Sequence, residues 1–451
     1  MKIDRIEINN FRCFEHIEIK FGGNLHTIPK VSALIAKNGE GKTSILDAIS
    51  IGLATFSGIM PDSSKPGFKI SDIRYKKNKF EQKYEAEDRP SVTIDIKGNE
   101  NLHDCTVTRR LSNASKKPTT TTSEAKEIEK YAILLKKNED KNDILFPILA
   151  YYGDNRLWAD NVITKGHKNA ILATSRIYGY ADSMNPRSGY KEFALWFSKL
   201  KTLLFREIAK QSMGEYVDKK ALDFYNICNK LVTEVLSDIL SISGWNHIDF
   251  DNVKEEIVAK NTNTGCEVSV RYLSAGIKAV LGVVADIAYR CCKLNPGKGL
   301  NALKETPGIV LVDEVELHLH PAWQQIILSS LSKNFPSIQF IVTTHSPHII
   351  SSIPKESVII IDSNDSIYPE SQTKGIECQD ILSQIFGTFP VSQEIDEVKM
   401  LKKYMNIISK RDFSNPEIQD LKEKLTDHFG PDHPMLKAAD FYSKFARDLK
   451  K

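Results

Sequence analysis

Leu34-Ile35-Ala36-Lys37-Asn38-Gly39-Glu40-Gly41-Lys42-Thr43-Ser44 lies near the N-terminus, between an apolar run and a helical apolar pattern. A small flexible loop ending in Gly-Lys-Thr is the chemistry of a phosphate-binding loop: main-chain N–H groups turn inward around phosphate oxygens. The Lys42 ammonium can then reach the terminal phosphates and the Thr43 hydroxyl can hold Mg²⁺. The motif G-x-x-x-x-G-K-[ST] asks for Gly where Ala36 stands; Ala lacks Gly's freedom at positive φ but is the smallest alternative. Gly-Lys-Thr alone also recurs by chance as a turn, so the surroundings must decide.

Before the loop, Ile3, Ile6 and Ile8 alternate in part and Ile17, Ile19 and Phe21 strictly, which predicts strand, turn at Asn10-Phe11-Arg12, strand. After it, Ile45, Ile49 and Leu53 recur at helical spacing with Asp47 on the other side, so a helix N-terminus would face the phosphates. Residues 91–96 and 105–110 read as strands, and Asn113 to Glu124 as a mobile loop. Ile144 to Tyr152 reads as a buried strand ending in Gly153-Asp154-Asn155-Arg156, the kind of polar strand end where sites sit in open α/β sheets. Tyr190 to Ile242 turns helical without a heptad register, which predicts a compact insertion. A short strand pair (Ile248 to Phe250, Val268 to Val270) precedes Leu273-Ser274-Ala275-Gly276 and an apolar helix.

A length of 451 residues suits two or three domains, and 41% hydrophobic with 26% charged residues describes an ordinary globular chain. The net charge of +3 gives no overall basic field, so any nucleic-acid surface would come from local runs such as Lys76-Lys77-Asn78-Lys79 or Arg109-Arg110, which are usually solvated faces. Seven cysteines with no C-x-x-C pair point to reduced thiols rather than a disulfide framework or structural zinc. No signal-peptide core or membrane-length apolar run is present, and the expectation is a cytoplasmic protein without a membrane partner.

Ile309-Val310-Leu311-Val312-Asp313-Glu314 is a strand buried on both faces that ends in two carboxylates. Downstream of a phosphate loop this is a Walker B arrangement: Asp313 would hold Mg²⁺, and Glu314 would act on the attacking water as general base. Apolar strands ending in acids are common, and only the preceding loop makes the pair specific. His345, ending the next strand, is by itself an ordinary structural histidine; beside Walker B it can bond the γ-phosphate or its attacking water. Ser274 is locally a good helix cap. Alternation of strands and helices predicts an α/β fold with a mixed, largely parallel sheet.

The order Asn10-Phe11-Arg12, phosphate loop, helical insertion, Leu273-Ser274-Ala275-Gly276, Asp313-Glu314 and Thr344-His345-Ser346 resembles the ATP-binding-cassette ATPase heads of RecF, SMC proteins and the overcoming-lysogenization-defect nucleases. In that group two heads sandwich two ATP molecules, and the signature Ser and Gly touch the γ-phosphate held by the other head. The resemblance therefore implies that Ser274 and Gly276 act in trans, that Arg12 joins Ala36, Lys37, Asn38, Gly39, Glu40, Gly41, Lys42, Thr43 and Ser44 around ATP, and that Thr43 and Asp313 hold Mg²⁺. Asn155 and Arg156 fall where the glutamine loop lies, although the Gln is absent.

Residues 150–158, 179–188, 316–324 and 380–388 look like the PtuA-type ATPases of the Septu antiphage system and of retrons carrying the same effector pair. The end, with Glu394-Ile395 and Phe429-Gly430-Pro431-Asp432-His433-Pro434, looks like that family's helical tail. This implies a homo-oligomer of heads, an HNH nuclease partner of PtuB type and, in the retron branch, a reverse transcriptase with its DNA or RNA product. A fused Toprim nuclease is not expected, because Asp362-Ser363-Asn364-Asp365 has no Glu-Gly ahead of it and no Asp-x-Asp after it. The expected organisation is 1–158 (first half of the head with an antiparallel β subdomain), 159–245 (helical insertion), 246–376 (second half with signature, Walker B and His345) and 377–451 (helical region for partners or oligomerisation). Two other readings stay open: a RecF-like DNA-repair ATPase, and a scaffold that holds nucleotide with little turnover.

Overall fold

The computed structural model describes residues 1–23, 27–77, 84–86, 88–113, 118–121, 124–154, 175–186, 190–251, 254, 256–410, 412 and 415–448. In chain order the first half holds β1 (Lys2–Phe11), β2 (Phe14–Lys20), β3 (Val31–Ile35), α1 (Lys42–Ser57), β4 (Tyr75–Lys77), β5 (Tyr84–Ala86), β6 (Ser91–Lys97), β7 (Cys105–Asn113), β8 (Thr119–Thr120), α2 (Lys126–Lys137) and β9 (Ile148–Tyr152). Then come α3 (Tyr190–Ser212), α4 (Lys219–Leu240), β10 (Trp245–Asp251), β11 (Glu256–Asn261), β12 (Glu267–Ser269) and α5 (Ala275–Leu294). The rest is α6 (Ala302–Glu305), β13 (Gly308–Val312), α7 (Pro321–Gln324), α8 (Ile327–Asn334), β14 (Ile338–Thr343), α9 (Pro347–Ile350), β15 (Val358–Asp362), β16 (Asp365–Ile367), α10 (Cys378–Gln384), α11 (Asp396–Ser409), α12 (Glu417–Phe429) and α13 (Pro434–Asp448).

The central sheet runs β16-β15-β3-β14-β13-β9, with only β16 antiparallel. Strands β3, β9, β13 and β14 are buried along their whole length, which is why each reads as a largely apolar run, broken only by the buried Ser32 in β3 and Gln339 and Thr343 in β14. Register decides the site. Val312 pairs with both Val342 and Tyr152, and Thr343 with Leu34, so the phosphate loop, Asp313 and Thr344 leave the sheet along one edge.

An antiparallel sheet, β2-β1-β6-β7-β8, lies on the other side of α1, and α1 is buried almost all round because it packs against strands of both sheets. The two sheets are tied by Gln339 in the middle of β14, whose fully buried amide accepts from the Ile3 N–H (2.7 Å) and donates to the Ile3 carbonyl (2.9 Å). The observed architecture is thus the expected one: a mixed, largely parallel sheet with an antiparallel N-terminal sheet, helices in the middle and a helical end.

Several details differ from the sequence reading. Part of the segment expected as a loop is β8, whose Thr119 and Thr120 pair with Asn113 and Leu111. The expected strand pair is a three-stranded sheet. β11 was missed because Ile257, Val258 and Ala259 are buried in succession and give no alternation. The helix starting at Pro321 breaks after one turn and resumes as α8. Asn155 and Arg156 lie outside the described residues.

Helix α5 is fixed to β9 by a buried charge network. Asp286 accepts from the Tyr152 hydroxyl and the Arg290 guanidinium, both at 2.7 Å, and Arg290 also donates to the Gly179 and Ala181 carbonyls. Asp286→Ala would leave Arg290 buried without its carboxylate, and a loss of about 3 kcal/mol is expected in urea unfolding. A loss below about 1 kcal/mol would mean that the two carbonyls suffice to hold the guanidinium.

The chain divides into two compact units, Met1–Cys378 and Gln379–Lys451. In the second, α11, α12 and α13 close around Tyr404, Ile407, Leu421, Leu425 and Leu436. Among the described residues no helix is long and apolar enough to cross a membrane.

Candidate functional site

Gly39 (φ +84°) and Gly41 (φ +88°) turn the loop back on itself, and Gly41 caps α1 in the left-handed region. Gly41 is also a contact point, because a Cβ there would lie 2.4 Å from Cys13 Sγ and 2.5 Å from the Phe14 ring. The β1–β2 turn is therefore seated directly on the phosphate loop. Ala36 is buried at the end of β3, Lys37, Asn38 and Gly39 are exposed, and Glu40 accepts from the Lys37 N–H at 3.0 Å. With Ala at the first position the loop still closes, through the main-chain bond from Glu40 to Lys37.

Lys42 is buried, and its Nζ donates to the Ala36 carbonyl at 3.2 Å and more weakly to that of Lys37 at 3.5 Å. Burial lowers its pKa below the ordinary lysine value, against the opposing pull of Asp313, Glu314, Glu316 and Glu40. The next residue crosses to the second motif: Thr43 Oγ1 donates to Asp313 Oδ2 at 2.8 Å. Asp313 is 2% exposed, and its other oxygen accepts from the Thr343 hydroxyl. A hydroxyl and a carboxylate brought together beside a phosphate loop fit the hard, oxygen-seeking Mg²⁺ ion, so the donor set suits the expected metal.

Thr343 also aligns the second carboxylate residue. Its hydroxyl accepts from the Glu314 N–H at 2.7 Å and its carbonyl from the Val315 N–H at 3.0 Å, while Glu314 takes a left-handed turn (φ +45°). His345 follows on the same edge. Burial first, and Lys42 second, push its pKa below the usual imidazole value against the pull of Glu316, Glu314 and Asp313, which favours the neutral ring.

Arg12 stands on the flank of this cluster. Its guanidinium reaches Ser44 Oγ at 3.4 Å but is engaged chiefly by Asp47 (2.6 Å) and Asp72 (2.9 Å), whose charges raise its pKa in spite of burial. Tyr151 donates to the other oxygen of Asp47 at 3.0 Å. A cleft of about 470 Å³ opens beside Arg12, with Asp47, Asp72, Tyr151 and Asn185 in its walls.

Ser274 and Gly276 stand at the start of α5. Ser274 is exposed and its Oγ caps α5 by accepting from the Ile277 N–H at 3.4 Å, which leaves its own proton to donate. A Cβ at Gly276 would lie 2.4 Å from the His318 carbonyl, so the signature packs against the segment that leaves Walker B. Lys42, Thr43, Asp313, Glu314 and His345 are thus brought together, Arg12 and Ser44 border them, Ser274 is exposed and Gly276 packs on the segment after Glu314. Sequence reasoning missed Thr343, the carboxylates around Arg12 and the contact of Glu316 with His345; Thr343 adjoins the Thr344-His345-Ser346 motif and Glu316 opens the 316–324 segment, but neither carried a periodic signal.

Residues 5–227 match a family model described as an AAA domain, and residues 181–350 one described as an AAA ATPase domain. The retron Ec83 probable ATPase of Escherichia coli is 26% identical over 97% of this chain and 85% of that protein. The retron Vc95 probable ATPase of Vibrio cholerae serotype O1 biovar El Tor is 24% identical over 95% and 88%. Septu protein PtuA of Bacillus mycoides is 23% identical over 94% of this chain and 50% of its own length. Among solved structures, an Smc head bound to the C-winged helix domain of ScpA aligns over 82% of this chain and 98% of its own, at 17% identity and a TM-score of 0.47.

Proposed function

We propose that this chain, a relative of the retron-associated probable ATPases and of Septu PtuA, is a Mg²⁺-dependent ATPase or ATP sensor whose paired heads control an associated HNH-type nuclease in antiphage defence. The observation that carries this reading is the 2.8 Å bond from Thr43 to Asp313, which joins the phosphate loop to Walker B with Lys42, Glu314 and His345 on the same edge. Lys42 and the loop N–H groups hold the phosphates, with Ala36 to Ser44 as the cradle and Arg12 at its border. Thr43 and Asp313 hold the metal, which when bound supplies charge neutralisation at the phosphates. Glu314 takes the proton of the attacking water, and the neutral His345 donates toward the γ-phosphate.

Exposure of Ser274 favours an active site completed by a second copy, since its hydroxyl serves only its own helix start among the described residues. Mixing two inactive variants tests this. Lys42→Ala spoils the phosphate loop and Ser274→Arg spoils the signature, so only a mixed pair contains one intact composite site. A 1:1 mixture should recover about one quarter of wild-type ATP turnover, half the pairs being mixed and each holding one of two sites. Turnover no higher than the two variants measured alone would sink the in-trans reading.

The proposal includes an HNH nuclease partner, a reverse transcriptase with its DNA or RNA product, and a cytoplasmic setting; similarity to a retron probable ATPase and to Septu PtuA supports the partners, and the free cysteines support the setting. Co-purification of an HNH protein encoded beside the chain is the direct check.

A further inference from the structure

Glu316 belongs to none of the roles assigned so far, yet its carboxylate sits inside the site. One oxygen, Oε1, accepts from the main-chain N–H of His345 at 2.5 Å. The other, Oε2, is buried and has no hydrogen-bond partner among the described residues. A buried carboxylate oxygen left without a donor costs free energy, so the placement of this side chain calls for a reason.

The contact of Oε1 supplies one. Glu314 and Val315 are already laced to Thr343 by their N–H groups, and further along Ser346 Oγ donates to Gln324 Oε1 at 2.6 Å. Between these fixed points, the His345 N–H is held by Glu316. The left-handed turn at Glu314 brings a residue three positions past Asp313 back across the end of β14.

We infer that Glu316 is a positioning residue: its reach, not its charge, fixes the main chain of His345 and through it the imidazole that meets the γ-phosphate. This rests on the proposed function, in which His345 contacts that phosphate during hydrolysis.

Reach and charge can be separated by two near-isosteric changes. Glu316→Gln keeps a carbonyl oxygen at the same distance without the charge, and Glu316→Asp keeps the charge but is one methylene short. Steady-state ATPase assays should give Gln a kcat within about threefold of wild type and Asp a kcat lower by about tenfold or more, with KM for ATP little changed in either. In a His345→Ala background the Asp change should cost less than about twofold further, because its effect passes through His345.

The proposal is overturned if Asp is active and Gln is not, which would make the charge the working feature. It is equally overturned if the two variants behave alike, or if Asp costs its full factor without His345. Absence of Mg²⁺-ATP turnover in the wild type, or full turnover in His345→Ala, would instead remove the reading beneath it, and the proposal with it.

Discussion

Lys42→Ala is expected to weaken ATP binding by about a hundredfold or more, the loss of a charge-assisted contact to two anionic phosphates. The side chain is well placed for a clean test. It is 8% exposed, and among the described residues its ammonium is bonded only to the Ala36 and Lys37 carbonyls, weakly to the second. Those are contacts a lysine would exchange for phosphate oxygens, since they rank below charged pairs in strength. Burial already disfavours the Lys42 charge, and the nearby carboxylates only partly restore it, so an incoming anion would meet a cation short of compensation. Ala is a strong helix former at the first position of α1, and the fold should survive. Titration of a fluorescent ATP analogue with Mg²⁺ reads the effect, with thermal unfolding as the control. Binding within twofold of wild type, on an unchanged melting temperature, would mean that the loop is only a turn between strand and helix.

How much of this was legible follows from which residues act locally. Strands β3, β13 and β14 are buried on both faces, so their apolar runs and the polar residues ending them stand out in one dimension. Parallel pairing then guarantees that those ends share an edge, which is why the loop, Asp313-Glu314 and His345 could be grouped before any coordinates. Contacts made by main-chain turns left no such trace. Left-handed residues at Glu314 and His318 decide that Glu316 returns to His345 and that the His318 carbonyl meets Gly276, and nothing in the residue types announces either turn. Arg12 shows the same limit from the other side. Its position near the loop followed from resemblance, whereas its pairing with Asp72, sixty residues away, depends on the packing of β1 against a long loop. The Asp286–Arg290 pair has ordinary helix spacing, and only the fold reveals that it is buried against Tyr152.

Glu314→Gln separates an ATPase from a scaffold that merely holds nucleotide. Gln has the same shape and leaves the main chain as it is, with its N–H on Thr343 Oγ1, so the loop geometry and the Thr43–Asp313 contact should persist. What disappears is the proposed general base, and its loss is expected to lower kcat by about a hundred- to a thousandfold while the affinity for ATP holds or improves. Removing one of the carboxylates that act on Lys42 also lessens repulsion of the triphosphate, which pushes binding in the same direction. With turnover stopped, ATP should remain between the heads, and size-exclusion chromatography with Mg²⁺-ATP should show a larger share of paired species than for the wild type. Under the scaffold reading wild type and variant are equally slow and equally paired, and defence against phage is unaffected. A RecF-like repair ATPase separates from both because duplex DNA would raise wild-type turnover and no nuclease would co-purify. Equal turnover in Glu314→Gln and wild type, at a rate well above the uncatalysed one, would place the base elsewhere on the edge, and Glu316 would be the first carboxylate to reconsider.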